Sequence, residues 1–137
     1  MALSRKDSRI LAFQGLCAWA SGSKLDDVLL YSWIDDEIRK TLTEEDLLFS
    51  TILINGTVEH IDEIDAKIKA TLNNWDFSRI NILDKSNLRL GTYSLIYQKD
   101  TSPIIIINEA IHIAVDYGTD DSYRFVNGIL DSIKNSL

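Results

Sequence analysis

The chain has 137 residues, of which 45% are hydrophobic, so it suits one domain or two small helical units sharing a core, and disorder is not expected. Its formal net charge of −7 argues at first against a nucleic acid partner. The charge is uneven, however: residues 25–65 carry −10 (twelve acids and two bases), and the other residues carry +3 (twelve bases and nine acids). The net charge therefore does not exclude a local phosphate-binding patch.

The sequence predicts neither membrane insertion nor secretion. No apolar run approaches the roughly 20 residues that a membrane-spanning helix needs. The N-terminus lacks an apolar stretch followed by a small-residue cleavage site. The single cysteine, Cys17, excludes an internal disulfide and is typical of a reducing cytosol. We therefore expect a cytoplasmic protein.

Hydrophobic residues recur at helical spacing and predict an all-α fold of about seven helices. Ser4 can cap a first helix that Ser21-Gly22 ends, and residues 25–34 fit a short second helix. Thr43, followed by three acids, predicts the start of either one long helix or two helices with a break near Asn55-Gly56. The predicted inward positions are Ile10, Phe13, Leu16, Cys17, Ala20, Leu25, Val28, Leu29, Trp33, Ile54, Val58, Ile61, Ile64, Ile68, Leu72 and Trp75.

The second half of the chain continues this pattern. Residues 79–97 predict one helix. Residues 104–107 are four isoleucines, which is typical of a strand, but Ser102 and Pro103 favour the start of a helix that Gly118 ends. A final helix is predicted from near Asp121-Ser122. The predicted inward positions are Leu83, Leu88, Leu90, Leu95, Ile96, Ile104, Ile107, Ile111, Ala114, Val115, Phe125, Val126, Ile129, Leu130 and Ile133.

No residue pattern predicts catalysis, a metal site or a cofactor. His60 and His112 lie on separate predicted helices, without a Cys-x-x-Cys or His-Glu-x-x-His motif. Cys17 lies on an apolar helix face, which favours a core or interface residue over a nucleophile. Asp120-Asp121 precedes a serine and favours a helix start over acid–base work. We therefore expect no enzyme.

A cluster of bases opens the first predicted helix. It consists of Arg5, Lys6 and Arg9, with one acid, Asp7, among them. Because Arg5 and Arg9 are four residues apart, they share a helix face from which both side chains could reach successive phosphates. Many helices begin with a few solvated bases, so the cluster alone is weak evidence for RNA binding. The acidic stretch 25–65 is likewise either a set of solvated helix faces or a surface for a partner.

The last third of the chain resembles the signature of the NusB family, INEAIELA…FG…DS…FVNGVLD. The matching residues are Ile107-Asn108-Glu109-Ala110-Ile111, Ala114, Tyr117-Gly118, Asp121-Ser122 and 125–131 (FVNGILD). Residues 88–95 (LRLGTYSL) are similar to the family's LRLAxYEL, and residues 9–16 (RILAFQGL) to its RELAxQAL. Residues 23–80 align only by pattern and length.

Several residues of this signature suggest a structural role. Asn108, Glu109 and Asn127 are polar groups beside apolar faces, so we expect them to form hydrogen bonds between helices. Gly128 lowers helix propensity inside the last helix, so we expect it to permit a close helix crossing.

The resemblance implies both a fold and a function. NusB-like proteins fold as two helical bundles, here about residues 1–75 and 76–137, which form a single RNA-binding domain. They bind the boxA element of nascent RNA, usually as a heterodimer with the ribosomal protein NusE. Within the antitermination complex of RNA polymerase they promote antitermination, notably on ribosomal RNA operons.

The resemblance also implies site residues. The family's arginine-rich N-terminal motif falls on Arg5, Lys6 and Arg9, with Asp7 where a base is common. A second RNA-proximal region falls on Asp121, Arg124 and Phe125, where Arg124 could contact phosphate and Phe125 is either a base-stacking residue or a core residue. The NusE-contact positions fall on Cys17 and Ser21, which are smaller than usual, and on Asp84, an acidic position facing the basic partner. Ile104 replaces a common basic residue.

Two other function classes stay open. The chain could be a protein-interaction module or a homodimer whose RNA surface is masked, since some family members self-associate. It could also be the separated RNA-binding domain of a ribosomal RNA cytosine methyltransferase, although the chain stops after the helical domain and leaves no room for a cofactor-binding domain.

Overall fold

The computed structural model describes residues 3–73 and 76–137, which form helices and no strands. The predicted all-α fold is therefore confirmed, whereas Trp75 lies outside the described residues. The α-helices in chain order are α1 (Arg5–Ala20), α2 (Leu25–Val28), α3 (Asp36–Arg39), α4 (Glu44–Glu59), α5 (Ile61–Thr71), α6 (Ile82–Tyr97), α7 (Pro103–Tyr117) and α8 (Ser122–Ser136), with a 3₁₀ turn at Phe77–Arg79. Within these ranges no helix is both long and apolar enough to cross a membrane.

Two of the predicted start signals, Ser4 and Thr43, cap long helices, whereas the side chains of Ser102 and Asp121 form no cap hydrogen bond. The Ser4 hydroxyl accepts a hydrogen bond from the Asp7 N–H at 3.0 Å at the start of α1. At the start of α4, the Thr43 hydroxyl accepts from the Asp46 N–H, and the Asp46 carboxylate accepts from the Thr43 N–H at 2.8 Å. This reciprocal pair satisfies two donors that a helix N-terminus otherwise leaves without partners. Pro103 occupies the first turn of α7, as predicted.

The stretch between α1 and α4 departs from the prediction. The predicted helix over 25–34 ends at Val28, and the unpredicted helix α3 follows. The reason is Tyr31, which has a positive φ of 56° and therefore interrupts helical geometry. Its hydroxyl is hydrogen-bonded to Ser50 and Thr51 of α4, which fixes the loop against the core.

Helix α6 is the central element of the packing. It packs against α1, α4 and α5 on the N-terminal side of the chain and against α7 and α8 on the C-terminal side. The division into two bundles near residue 75 stays a prediction. The long helical segment after Thr43 is interrupted at His60 rather than near Asn55-Gly56.

Three residues predicted to face the core are exposed instead. Leu83 is 39% exposed, Ile104 64% and Val115 61%. On α7 the buried positions are instead Ile106, two residues after Ile104, and Ile113, two residues before Val115. Because residues 104–107 are all isoleucine, their hydrophobicity does not define which side of the helix faces inward.

Close helix crossings occur at glycines other than Gly128. A Cβ atom on Gly128 would meet nothing within 4 Å, and the residue is exposed, so the predicted crossing there is wrong. Helices approach closely at three other glycines, where an added Cβ would collide with a neighbouring side chain: Gly15 against Ile54, Gly56 against the Tyr93 ring, and Gly91 against Leu130.

The predicted hydrogen bonds between helices also lie elsewhere. Asn108 and Asn127 are exposed. A buried helix-to-helix bond is instead donated by the Asn87 side-chain amide to the Ala110 carbonyl, at 2.8 Å. It joins α6 to α7 and satisfies a polar group that would otherwise be costly to bury.

Candidate nucleic-acid interface

The first turns of α1 place the three predicted bases around one surface cavity of about 300 Å³. The cavity is lined by Arg5, Lys6, Arg9, Asp100, Thr101, Ile105 and Glu109, the last four coming from the α6–α7 loop and α7. Arg5 and Lys6 are exposed. Their donors are therefore available to an anion, while Asp100 and Glu109 limit the net positive charge of the cavity.

Arg9 differs from its two neighbours because it is buried. Only 4% of the residue is exposed, and its guanidinium donates to the Ser94 hydroxyl at 3.0 Å. Burial lowers the pKa of Arg9, while the charge of nearby Glu109 opposes that shift. The expectation that Arg5 and Arg9 both project to solvent is therefore corrected, since Arg9 joins α1 to α6 through Ser94. A phosphate contact by Arg9 stays a prediction.

Phe49 of α4 belongs to this region and was not found by sequence reasoning. Its ring lies under the Arg5 guanidinium, with 3.8 Å between the guanidinium carbon and the ring centroid. The guanidinium carbon of Arg9 is 5.6 Å from the same centroid. Phe49 lies in the segment that matches the family only by pattern and length. Its contact with α1 depends on how α1 and α4 pack, which the sequence does not show.

Asp7 lies apart from the cavity of bases. It lines a second, mainly apolar cavity with Leu3, Ile10, Leu11, Gln14, Ile34, Ile38 and Leu42. The carboxylate among the three bases in the sequence is therefore directed to another side of α1. The acids that face the bases, Asp100 and Glu109, come from a distant part of the chain.

A cavity of about 280 Å³ brings together residues predicted for two different roles. Asp84, at a predicted NusE-contact position, lines it together with Asp121 and Phe125, which lie in the second predicted RNA-proximal region. The other lining residues are Arg79, Ile80, Asn81, Thr119 and Ser122. Arg79 adds an exposed cation that sequence reasoning missed.

Asp84 is largely occupied by a local cap. It is only 7% exposed, and its carboxylate accepts from the Asn81 side-chain amide at 3.1 Å. Its own N–H donates to the Asn81 side-chain oxygen at 2.8 Å, so the pair closes the start of α6. The expectation of an outward-facing carboxylate is thus corrected, and a partner contact by Asp84 stays a prediction.

At the start of α8, the side chains of Arg124 and Phe125 differ in exposure. Arg124 is exposed, and its Nε donates to the Tyr123 hydroxyl at 2.8 Å. Phe125 is half-buried, packs against the core and lines grooves on two sides of α8. It therefore has features of both predicted roles, the core residue and the surface aromatic.

Cys17 and Ser21 lie at the C-terminal end of α1. Cys17 is half-buried, and burial raises the pKa of its thiol. Such a thiol is a weak nucleophile at neutral pH. Ser21 is exposed, and its hydroxyl donates to the Cys17 carbonyl at 2.8 Å.

The contacts of α1 with α6 show which predicted residues lie near each other. Arg9, near the start of α1, meets Ser94 near the end of α6. Trp19, near the end of α1, lies beside Arg89 in the middle of α6, with 5.7 Å between the guanidinium carbon and the ring centroid, so the two helices run antiparallel. The bases of α1 lie at one end of α6. The residues at the start of α8 and the predicted NusE-contact positions lie towards the other end. The separation is roughly 12 Å, estimated from the eight helical residues between Arg9 and Cys17.

Comparisons with known proteins show which family the chain resembles throughout its length. The family model described as "NusB family" matches residues 6–135. The transcription antitermination protein NusB of Treponema denticola is 52% identical over 136 residues, 98% of each chain, and that of Treponema pallidum is 47% identical over 98% of this chain and 94% of the relative.

Solved structures extend the comparison to the fold. A T. maritima NusB structure has a TM-score of 0.85 and 34% identity, covering 98% of this chain and 93% of that chain. A crystal structure of antitermination factors NusB and NusE in complex with dsRNA contains a chain with a TM-score of 0.85 and 25% identity, covering 97% of both chains.

Proposed function

The chain belongs to the NusB family, and from this we propose that it is a transcription antitermination factor that binds boxA RNA together with a NusE-type ribosomal protein. The observation that carries the proposal is the similarity to the T. denticola protein of that name over 98% of both chains. This coverage favours an antitermination factor over a separated methyltransferase domain. The action on ribosomal RNA operons, within the RNA polymerase antitermination complex in the cytoplasm, is part of the proposal.

The mechanism is binding, with no bond made or broken. The exposed Arg5 and Lys6 contact phosphates at one end of α6, and Arg124, with Asp121 and Phe125, contributes at the other end. Neutralising phosphates releases counterions, so RNA affinity falls as the salt concentration rises.

The NusE partner is proposed to cover the C-terminal end of α1 and the start of α6. Ser21 is exposed and Cys17 half-buried there, and both are small, so they leave room for a partner's side chains. Asp84 contributes negative charge at the floor of the neighbouring cavity rather than an outward-facing carboxylate.

The test is a boxA mobility-shift assay, with and without NusE, at two salt concentrations. We expect Arg5→Ala/Lys6→Ala to weaken binding and to lower the slope of log affinity against log salt by about 1.4, since roughly 0.7 is lost per phosphate contact with a single strand. Lys24→Ala/Lys40→Ala is the matched control, because it removes two exposed bases elsewhere and changes the net charge equally.

Either of two results would contradict the proposal. If the folded Arg5→Ala/Lys6→Ala protein binds boxA as the wild type does, the N-terminal site is wrong. If the wild-type protein forms a stable dimer in light scattering and does not bind boxA, a protein-interaction module is the better interpretation.

A further inference from the structure

The Arg5 guanidinium lies on a ring supplied by another helix. Phe49 of α4 is half-buried, so its packing against the rest of the protein fixes the ring. The guanidinium carbon of exposed Arg5 is 3.8 Å from the ring centroid. This distance is well inside the roughly 6 Å within which the negative face of an aromatic ring attracts a cation.

Stacking on a ring leaves the phosphate-binding groups of an arginine available. The guanidinium N–H donors lie in the plane of the group and point away from its edges, whereas the ring occupies one of its faces. A free arginine loses much rotamer freedom when it binds a phosphate, and a side chain already held in place loses less. The Phe49 ring therefore reduces the cost of ordering Arg5.

The surroundings of Arg9 complete the arrangement. Its buried guanidinium donates to Ser94 and lies 5.6 Å from the same Phe49 centroid. The hydrogen bond fixes the register of α1 against α6, while the ring meets α1 from the α4 side. Arg5, one helical turn before Arg9, therefore lies over Phe49 on a helix that contacts both α4 and α6.

We propose that Phe49 is a positioning residue for RNA binding, which holds the Arg5 guanidinium for phosphate contact without touching RNA itself. This inference rests on the proposed function. It assigns a role to α4, a helix in the acidic stretch, and it predicts that Phe49 affects RNA affinity only through Arg5.

The test is a double-mutant cycle in boxA binding, measured by fluorescence anisotropy on proteins shown to be folded by circular dichroism. We expect Phe49→Leu, which keeps an apolar side chain but removes the ring, to weaken binding about threefold. In the Arg5→Ala background the same change should have no further effect. Phe49→Tyr should restore the affinity, and Leu48→Ala, at an exposed neighbour on α4, should leave it unchanged.

Two results would overturn the inference: Phe49→Leu binding as tightly as the wild type, or Phe49→Leu weakening binding by the same factor with and without Arg5. NMR separates this failure from failure of the proposed function, because the ring should shift the Arg5 side-chain protons upfield and Phe49→Leu should abolish that shift. If the shift is present but the wild type does not bind RNA, the contact between Arg5 and Phe49 is confirmed. Both the RNA role of Phe49 and the proposed function are then wrong. If RNA binds but the shift is absent, only this inference falls.

Discussion

Arg5 and Arg9 show how surroundings separate two identical side chains on one helix. Arg5 is exposed and lies on Phe49, so its donors stay available to an anion. Arg9 is buried and donates to Ser94, so one of its donors is already used inside the protein. The Glu109 carboxylate nearby favours the charged form of this buried arginine. Arg5 and Lys6 are therefore the two bases of this motif that are exposed to solvent.

Asp100 should oppose RNA binding more strongly than Asp7 does. Asp100 lines the cavity that holds Arg5 and Lys6, whereas Asp7 lines a different one. We expect Asp100→Asn to tighten boxA binding about twofold, because repulsion between a carboxylate and a phosphate is strongest at short range and is screened beyond roughly 10 Å. Asp7→Asn changes the net charge equally and should have a smaller effect in the same anisotropy assay. Equal tightening by the two variants would show that overall charge, rather than position, sets the affinity.

At the scale of the helices, glycines mark the places where backbones approach. Gly56 of α4 faces the ring of Tyr93 on α6, and a Cβ atom there would overlap the ring. Tyr93 is only 7% exposed and stacks near Tyr97, with 5.4 Å between the ring centroids, so the ring has little room to move. Gly128 of α8, by contrast, is exposed with open space beside it.

Alanine at these two glycines should change stability in opposite directions. We expect Gly56→Ala to lower the free energy of unfolding by about 1–2 kcal/mol, because overpacking outweighs the gain in helix propensity. Gly128→Ala should raise it by about 0.5–1 kcal/mol, since it gains helix propensity without a collision. Urea denaturation followed by circular dichroism measures both changes. A stabilised Gly56→Ala protein would mean that the α4–α6 crossing is looser than the structure shows.

The sequence predicts helices better than it predicts which residues meet between them. Ser4, Thr43 and Pro103 mark helix starts because capping depends on neighbours within one turn. Gly128 was assigned to a crossing that occurs at Gly56 and at other glycines, because a crossing depends on the partner helix. The residues of the candidate site follow the same rule. Those that depend on local sequence were predicted, and those that depend on contacts between helices were not.

Local patterns and the family resemblance identified Arg5 and Lys6 as bases at the start of α1. The burial of Arg9, the ring of Phe49 and the local cap of Asp84 come from pairings between parts of the chain that hydrophobic periodicity does not specify.

At the scale of the whole molecule, the charge is distributed unevenly around helix α6. Acids are concentrated in residues 25–65, while bases occur near both ends of α6. A further group of cations, Lys69, Lys85 and Arg89, surrounds the Phe77 ring at 4.5–5.6 Å near the start of α6. Arg89 is neutralised by a two-point ion pair with Asp65, at 2.9 Å for each bond, and the charge of Asp76 acts on Lys85, so the two acids offset much of the positive charge of the three cations.

The separation of the two basic regions should appear in how binding depends on RNA length. Arg5 and Lys6 lie at one end of α6 and Arg124 beside the other, and a packed helix cannot shorten to bring them together. A strand long enough to reach both regions should lose affinity independently to Arg5→Ala/Lys6→Ala and to Arg124→Ala, so that the two free-energy losses add. Shortening the RNA stepwise from one end should abolish the effect of one variant on affinity and leave the effect of the other unchanged. Shortening it from the opposite end should abolish the effect of the other variant instead. Anisotropy titrations over such a series measure this, and if both variants weaken every length by the same factor, RNA does not span the two regions as one strand.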